Sequence, residues 1–331
     1  MTDAGVAPAV PAPDGVVVVD KPAAMTSHDV VNRVRRAIGH AYQVAPRRRH
    51  GHRVGHTGTL DPAATGVLVV CVGRATRLVQ FLQAGRKTYE ARMQLGRTTT
   101  TLDAEGTITD ECDASHVDER AVCDALKKFV GPISQVPPMV SAVRVAGERL
   151  HVRARRGEQV DRAPRPIVIH DLVLEDFTPG NFPQVEFLVN CSTGTYVRTL
   201  ADDIGRVLGV GGHLTALRRL ASGGARIEDA VTLEAIETAI EHRELDTLLI
   251  SPAAAMALAD YPTVVLDDDA VLRLVHGLPV EATGHEGPVA AVDPRGALIA
   301  VVADRAGAAV SLAVLGTTRP PTAQPGAADP S

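Results

Sequence analysis

Gly55-His56-Thr57-Gly58-Thr59-Leu60-Asp61-Pro62-Ala63-Ala64-Thr65-Gly66-Val67-Leu68 sets one carboxylate, Asp61, among three glycines, three threonines and a proline. Small residues let a backbone approach a ligand closely and adopt turns that larger residues resist. One acid held in such a loop suits chemistry at a single atom. Asp-Pro is also an ordinary turn opener or helix N-cap, and taken alone the dipeptide reads as structural. The flanks favour more than that. Downstream, Gly66 to Val72 reads as an apolar strand. Upstream, Gly15-Val16-Val17-Val18-Val19-Asp20-Lys21-Pro22 reads as a buried strand ending at a turn.

Thr26 or Ser27 can cap a helix in which Val30, Val31, Val34 and Ile38 recur at helical spacing, with Gly39 as its stop. Gly39 to Arg53 reads as a loop and Ala75 to Gln83 as a short helix. Lys87 to Leu95 alternates like a strand, with Tyr89, Ala91, Met93 and Leu95 on one face. Val117 to Phe129 reads as an amphipathic helix stopped by Gly131-Pro132. Val168 to Phe177 and Gln184 to Cys191 read as strands, Thr199 to Leu208 as a helix closed by Gly209, and Thr232 to Leu249 as one acidic helix. Helices and hairpin-like strands interleave, so the class is α/β or α+β on a mixed sheet. Pro252 and Pro262 bracket a junction. Beyond it, short strand-like runs divided by Asp293-Pro294-Arg295-Gly296 and Asp304-Arg305-Ala306-Gly307 predict a small all-β module. Met1 to Asp14 and Thr317 to Ser331 read as disordered tails.

Composition narrows the function classes. Aromatics are 3% of 331 residues and Trp is absent, so the core rests on Val, Leu, Ile and Ala. Four scattered cysteines without a C-x-x-C argue against a zinc ribbon or a disulfide framework and for a reduced, cytoplasmic setting. No signal peptide is legible, and no apolar run reaches the length of a membrane span. The net charge of −5 conceals an asymmetry: residues 1–226 carry +6 and residues 227–331 carry −11. That split points to a polyanion site in the first part.

Val30 to Leu60 holds seven arginines, Arg47, Arg48 and Arg49 among them, and no acid, and it delivers His56 and Asp61 at its end. Arg144 to Arg165 holds seven more against three acids. Guanidinium forks match phosphate oxygens, and two such stretches in a net-acidic chain favour nucleic acid over a merely solvated face. Two of the four tyrosines, Tyr89 and Tyr196, stand beside basic residues, as base-stacking side chains do. His40, His50, His52 and His56 crowd one region. No thiol or carboxylate lies among them, and the arginines would repel a cation, so metal is disfavoured. Phosphate-loop, dinucleotide and G-x-S-x-G motifs are missing.

These residues resemble the TruB-type tRNA pseudouridine-55 synthases. The Asp61 loop looks like that family's signature. Asp20-Lys21-Pro22-x-x-x-Thr26-Ser27, Lys87-x-Tyr89-x-Ala91 and Gln135-Val136-Pro137-Pro138-Met139-x-Ser141-Ala142 match further motifs. Cys191-Ser192-x-Gly194-Thr195-Tyr196-Val197-Arg198-Thr199-Leu200 and Leu217-Arg218-Arg219-Leu220 complete the set in order, over about residues 15–225. The resemblance implies a catalytic domain over 15–250 and a PUA-like domain over 251–316. It implies isomerisation of uridine to pseudouridine at position 55 in the T loop of tRNA, by a monomer with no cofactor or metal. Asp61 would be the catalytic acid, Tyr89 would stack on a flipped base and take part in proton transfer, and Arg198 would pair with Asp61. Tyr196 and Leu217 would wall the pocket, His56 would fill the flipped base's place or touch loop nucleotides, and Lys21 would support the loops. Arg47, Arg48 and Arg49, in a longer and more basic link than the family's, would meet phosphates. Val140, Arg144 and His151 depart from the usual family residues. The competing reading is a non-catalytic tRNA-binding folding chaperone on the same scaffold.

Overall fold

The computed structural model of the protein describes residues 13–42, 52–139 and 160–316, with residues 141, 144–145, 148–149, 153, 156 and 158 between them. Almost all of both expected tails and the Arg47-Arg48-Arg49 run lie outside those residues.

The first strand, Gly15–Lys21, is covered on both faces. Val17 and Val19 pack with Val30, Val34 and Ile38 of the helix Ser27–Ala41. Val16 and Val18 face the other way, toward Ala255, Met256, Val292 and Val301. Each fully buried valine stabilises by about 1.5–3 kcal/mol, which is why this strand is continuously apolar rather than alternating. Thr26 caps the helix through a capping box: its hydroxyl accepts from the Asp29 amide, and the Asp29 carboxylate accepts from the Thr26 amide. Gly39 does not end the helix. It costs about 1 kcal/mol in a helical position, but two further residues bring Tyr42 into the core at 6% exposure.

Among the described residues the main sheet has ten strands. From edge to edge, eight of them begin at Val231, Gly15, Thr65, Gly212, Lys87, Gln184, Arg165 and Gly131. Two of the seven junctions are parallel, the first and the third, and the rest antiparallel. The expected mixed sheet is therefore present, and it is largely antiparallel. The strand Gly212–Ser222 at its centre was not. Bulges between Leu214 and Ala216 and between Arg219 and Ala221 break the two-residue alternation by which a strand is recognised. The helix Val197–Val207 starts two residues before its expected Thr199. It packs tightly at Gly205, where a Cβ would stand 2.3 Å from the Gly211 carbonyl carbon. The expected helix Thr232–Leu249 is two pieces, Leu233–Glu241 and a 3-10 turn Leu245–Leu248. Arg243 turns the chain between them with φ +61°, and this brings Leu245 back into the core at 0% exposure.

A second sheet of five strands runs in the order Thr263–Val265, Val289–Val292, Leu298–Arg305, Ala308–Val314, Val280–Glu281. It meets the expected β module, with one addition: the helix Asp268–Val275 packs against it through Leu274. Both anticipated turns are present. Asp293 accepts from the Arg295 and Ala297 amides, and Ala306-Gly307 takes positive φ at both residues. Arg74 and Arg77 donate to the carbonyls of Leu315 and Val314, tying the end of this sheet to the 3-10 turn Gly73–Leu78 that follows the strand Thr65–Val72.

Candidate active site

The Asp61 loop is the connection of a hairpin. Val54–His56 pairs antiparallel with Thr65–Val72, and residues 57–64 span the gap. Three side chains from elsewhere pin it. Ser27 Oγ accepts from the Leu60 amide at 2.8 Å and donates to the Leu60 carbonyl at 3.2 Å. Lys21 Nζ, fully buried, donates to the carbonyls of Met25, Pro22 and Pro62 at 2.6, 2.8 and 3.1 Å. Arg219 donates to the Gly58 carbonyl at 3.1 Å. The Asp61 carbonyl closes the turn by accepting from the Ala64 amide, so the turn leaves the carboxylate to face a cleft. Gly66 ends the loop with φ +97°, and a Cβ there would lie 2.2 Å from the Arg219 carbonyl oxygen. Gly66→Ala is expected to cost about 3 kcal/mol or more from strain and overlap, read as a lowered denaturant midpoint.

Arg198 meets Asp61 fork on fork, Nε to Oδ2 at 2.9 Å and Nη2 to Oδ1 at 3.2 Å. Its guanidinium is 4% exposed, whereas the Asp61 side chain is 40% exposed to the cleft. Nη1 reaches the other way, to Asp103 Oδ2 and the Thr101 carbonyl, both at 3.2 Å. The charge order is thus Asp61–Arg198–Asp103. Burial raises the Asp61 carboxyl above its ordinary pKa, Arg198 pulls against that, and Asp103 adds to the rise. Asp103 sits in a threonine-rich hairpin loop between Arg97–Thr99 and Ile108–Glu111. No local pattern marked it in advance.

The cleft has a volume of about 220 Å³. This is smaller than the roughly 300–1,000 Å³ of pockets for drug-sized ligands. Asp61, Tyr89, Tyr196, Arg198 and Leu217, expected together, all line it. Tyr89 projects from the strand Lys87–Leu95, and Leu217 stands opposite Ala91 on the neighbouring strand. Tyr196 precedes the helix Val197–Val207 and is gripped at its backbone. Gln135 accepts from its amide at 2.8 Å and donates to its carbonyl at 3.1 Å. Burial raises the hydroxyl pKa of both tyrosines.

Two expected residues stand apart from the cleft wall. His56 ends its strand with Nδ1 accepting from the Gly58 amide at 3.3 Å, and burial lowers its pKa, which favours the neutral ring. Lys21 sits beneath the loop as a main-chain tie, its pKa lowered by burial to about 8. Arg47, Arg48, Arg49, Val140 and His151 lie outside the described residues. Two cations without an expected role line the cleft as well, Lys87 and Arg219. Lys87 donates to the Gln83 and Gly85 carbonyls, each at 3.0 Å.

Family models cover this architecture from end to end of the site. The TruB family pseudouridylate synthase N-terminal domain matches residues 47–197. The tRNA pseudouridylate synthase B C-terminal domain matches 198–256, and the tRNA pseudouridine synthase II C-terminal domain matches 261–316. The tRNA pseudouridine synthase B of Thermobifida fusca is 45% identical over 306 residues, covering 91% of this chain and 98% of that protein. Its counterpart in Symbiobacterium thermophilum is 48% identical over 265 residues, covering 80% and 82%. Among solved structures, a chain of the Cbf5-Nop10-Gar1 complex superposes with a TM-score of 0.67 at 27% identity, covering 91% of this chain and 84% of that one.

Proposed function

The chain belongs to the TruB family of pseudouridylate synthases, and from that premise we propose that it converts uridine to pseudouridine at position 55 in the T loop of tRNA. The observation that carries the reading is the Asp61–Arg198 fork opening on a cleft between Tyr89, Tyr196 and Leu217. The reaction breaks N1–C1′, turns the base over and joins C5 to C1′. A proton leaves C5 and one arrives at N1, so nothing is gained or lost. The reacting bonds are out of reach while the nucleotide is stacked, so it must flip into the cleft. Asp61 supplies the carboxylate beside sugar and base, with Arg198 fixing its direction. Tyr89 stacks on the base and takes part in moving the proton. Tyr196 and Leu217 bound the base, and His56 meets the loop nucleotides or fills the place the base leaves.

Residues 15–250 form the catalytic domain in this reading and residues 251–316 the PUA-like domain. The enzyme works as a cytoplasmic monomer, and no helix of the described residues is long and apolar enough to cross a membrane. A tRNA transcript with uridine at position 55 should become a substrate, and its cytidine-55 counterpart should yield no pseudouridine. Product on the cytidine transcript would move the target elsewhere.

Arg47, Arg48 and Arg49 serve this reading as phosphate contacts. Replacing all three by alanine should weaken tRNA binding and flatten the plot of log affinity against log salt by roughly 0.7–0.9 for each phosphate no longer neutralised. An unchanged slope would make them an ordinary solvated run.

A further inference from the structure

Arg219 is 1% exposed and faces Tyr89 across paired strands. Its Nε donates to the Val67 carbonyl at 2.6 Å and its Nη2 to the Gly58 carbonyl at 3.1 Å. Arg219 and Tyr89 are direct cross-strand partners, and both line the cleft. Tying down two carbonyls needs two N–H donors but no full charge, and burying a charge costs several kcal/mol unless something uses it. The charge acts on its neighbours. It disfavours protonation of Lys21, His56 and Lys87 and favours the anionic form of Tyr89. Asp61 lines the same cleft, and its charge pushes against ionisation of Tyr89. Arg219 is the cation that opposes it.

We propose that Arg219 is a positioning residue for the isomerisation, holding the Tyr89 hydroxyl and the Gly58 end of the Asp61 loop in one frame and stabilising negative charge on the Tyr89 oxygen as the proton passes. The Tyr89 hydroxyl gives its proton to N1 after the N1–C1′ bond breaks, and the resulting phenolate takes the proton lost at C5, so the Tyr89 oxygen ends as it began. The inference rests on the pseudouridine reading above and deepens it. A pure scaffold role would need the two carbonyl contacts alone. The proposed role needs the Tyr89 hydroxyl as well, and this separates the two.

The test is a double-mutant cycle on the full chain with tRNA transcript, reading the single-turnover rate and the tRNA affinity separately. Arg219→Gln should slow the rate by about 100-fold with affinity held within about threefold, and Arg219→Lys should recover about tenfold of that loss. In a Tyr89→Phe background, Arg219→Gln should cost less than about a further threefold. Thermal unfolding checks that each variant folds. If Arg219→Gln does not, Arg219→Lys carries the same cycle, and its smaller loss should vanish beside Tyr89→Phe. An equal loss with and without the hydroxyl, or no loss at all, overturns the proposal. Failure of the underlying reading looks different: the wild-type chain would then form no pseudouridine on any tRNA.

Discussion

Asp61→Asn is expected to keep tRNA affinity within about threefold and to slow pseudouridine formation by about 10⁴-fold or more. Among the described residues lining the cleft, Asp61 is the single acid. Asparagine has nearly the same shape and still offers one oxygen to Arg198, so the loop should hold. Its hairpin, its turn and its ties to Ser27, Lys21 and Arg219 do not use the carboxylate. Only the charge at the reacting atoms is lost, which is why rate and binding should separate. Single-turnover product formation and filter binding on the same preparation measure both. Near-wild-type turnover would show that the chemistry lies elsewhere.

Arg198→Ala should lower the rate by about 10³-fold through misdirection of Asp61. It should also cost stability, because two carboxylates lose their shared cation. Breaking a buried pair typically costs about 3–5 kcal/mol. Asp61, with 40% of its side chain exposed, is partly screened, and Asp103 is 14% exposed. The loss should therefore be nearer about 2–3 kcal/mol. The pH dependence has a definite sign. Burial already holds the Asp61 pKa above its ordinary value, and Arg198 opposes that rise. Without Arg198 the pKa climbs further. The reaction needs the carboxylate, so activity should fall away at a higher pH than in wild type as the solution is acidified. Arg198→Lys, keeping the charge but not the fork, should lie between the two. A rate profile unmoved on the acid side would remove Arg198 from any electrostatic role.

The expected residues that line the cleft share a local signature. Asp61 stands out in a loop of small residues, Tyr89 in a clean alternation, and Arg198 with Tyr196 in a run that opens a helix. The residues it passed over are recognisable only in three dimensions. Asp103 meets Arg198 across 95 positions from a hairpin whose threonines advertise nothing but a turn. Lys87 and Arg219 are cations, and cations are expected at the surface. Here main-chain carbonyls of Gln83, Gly85, Gly58 and Val67 accept hydrogen bonds from them, so burial is tolerated. The strand context of Arg219 was hidden too, since the bulged Gly212–Ser222 strand has no regular period. The break at Arg243 and the helix running through Gly39 follow the same rule: burial of Leu245 and Tyr42 outweighs local preference.

The most direct test of the account maps pseudouridine at every uridine of unmodified tRNA transcripts after incubation with wild-type protein and with Asp61→Asn. The expected result is one modified position, uridine 55 in the T loop, near completion with the wild-type chain and absent with the variant. Modification at another position, or at position 55 by Asp61→Asn, would contradict it.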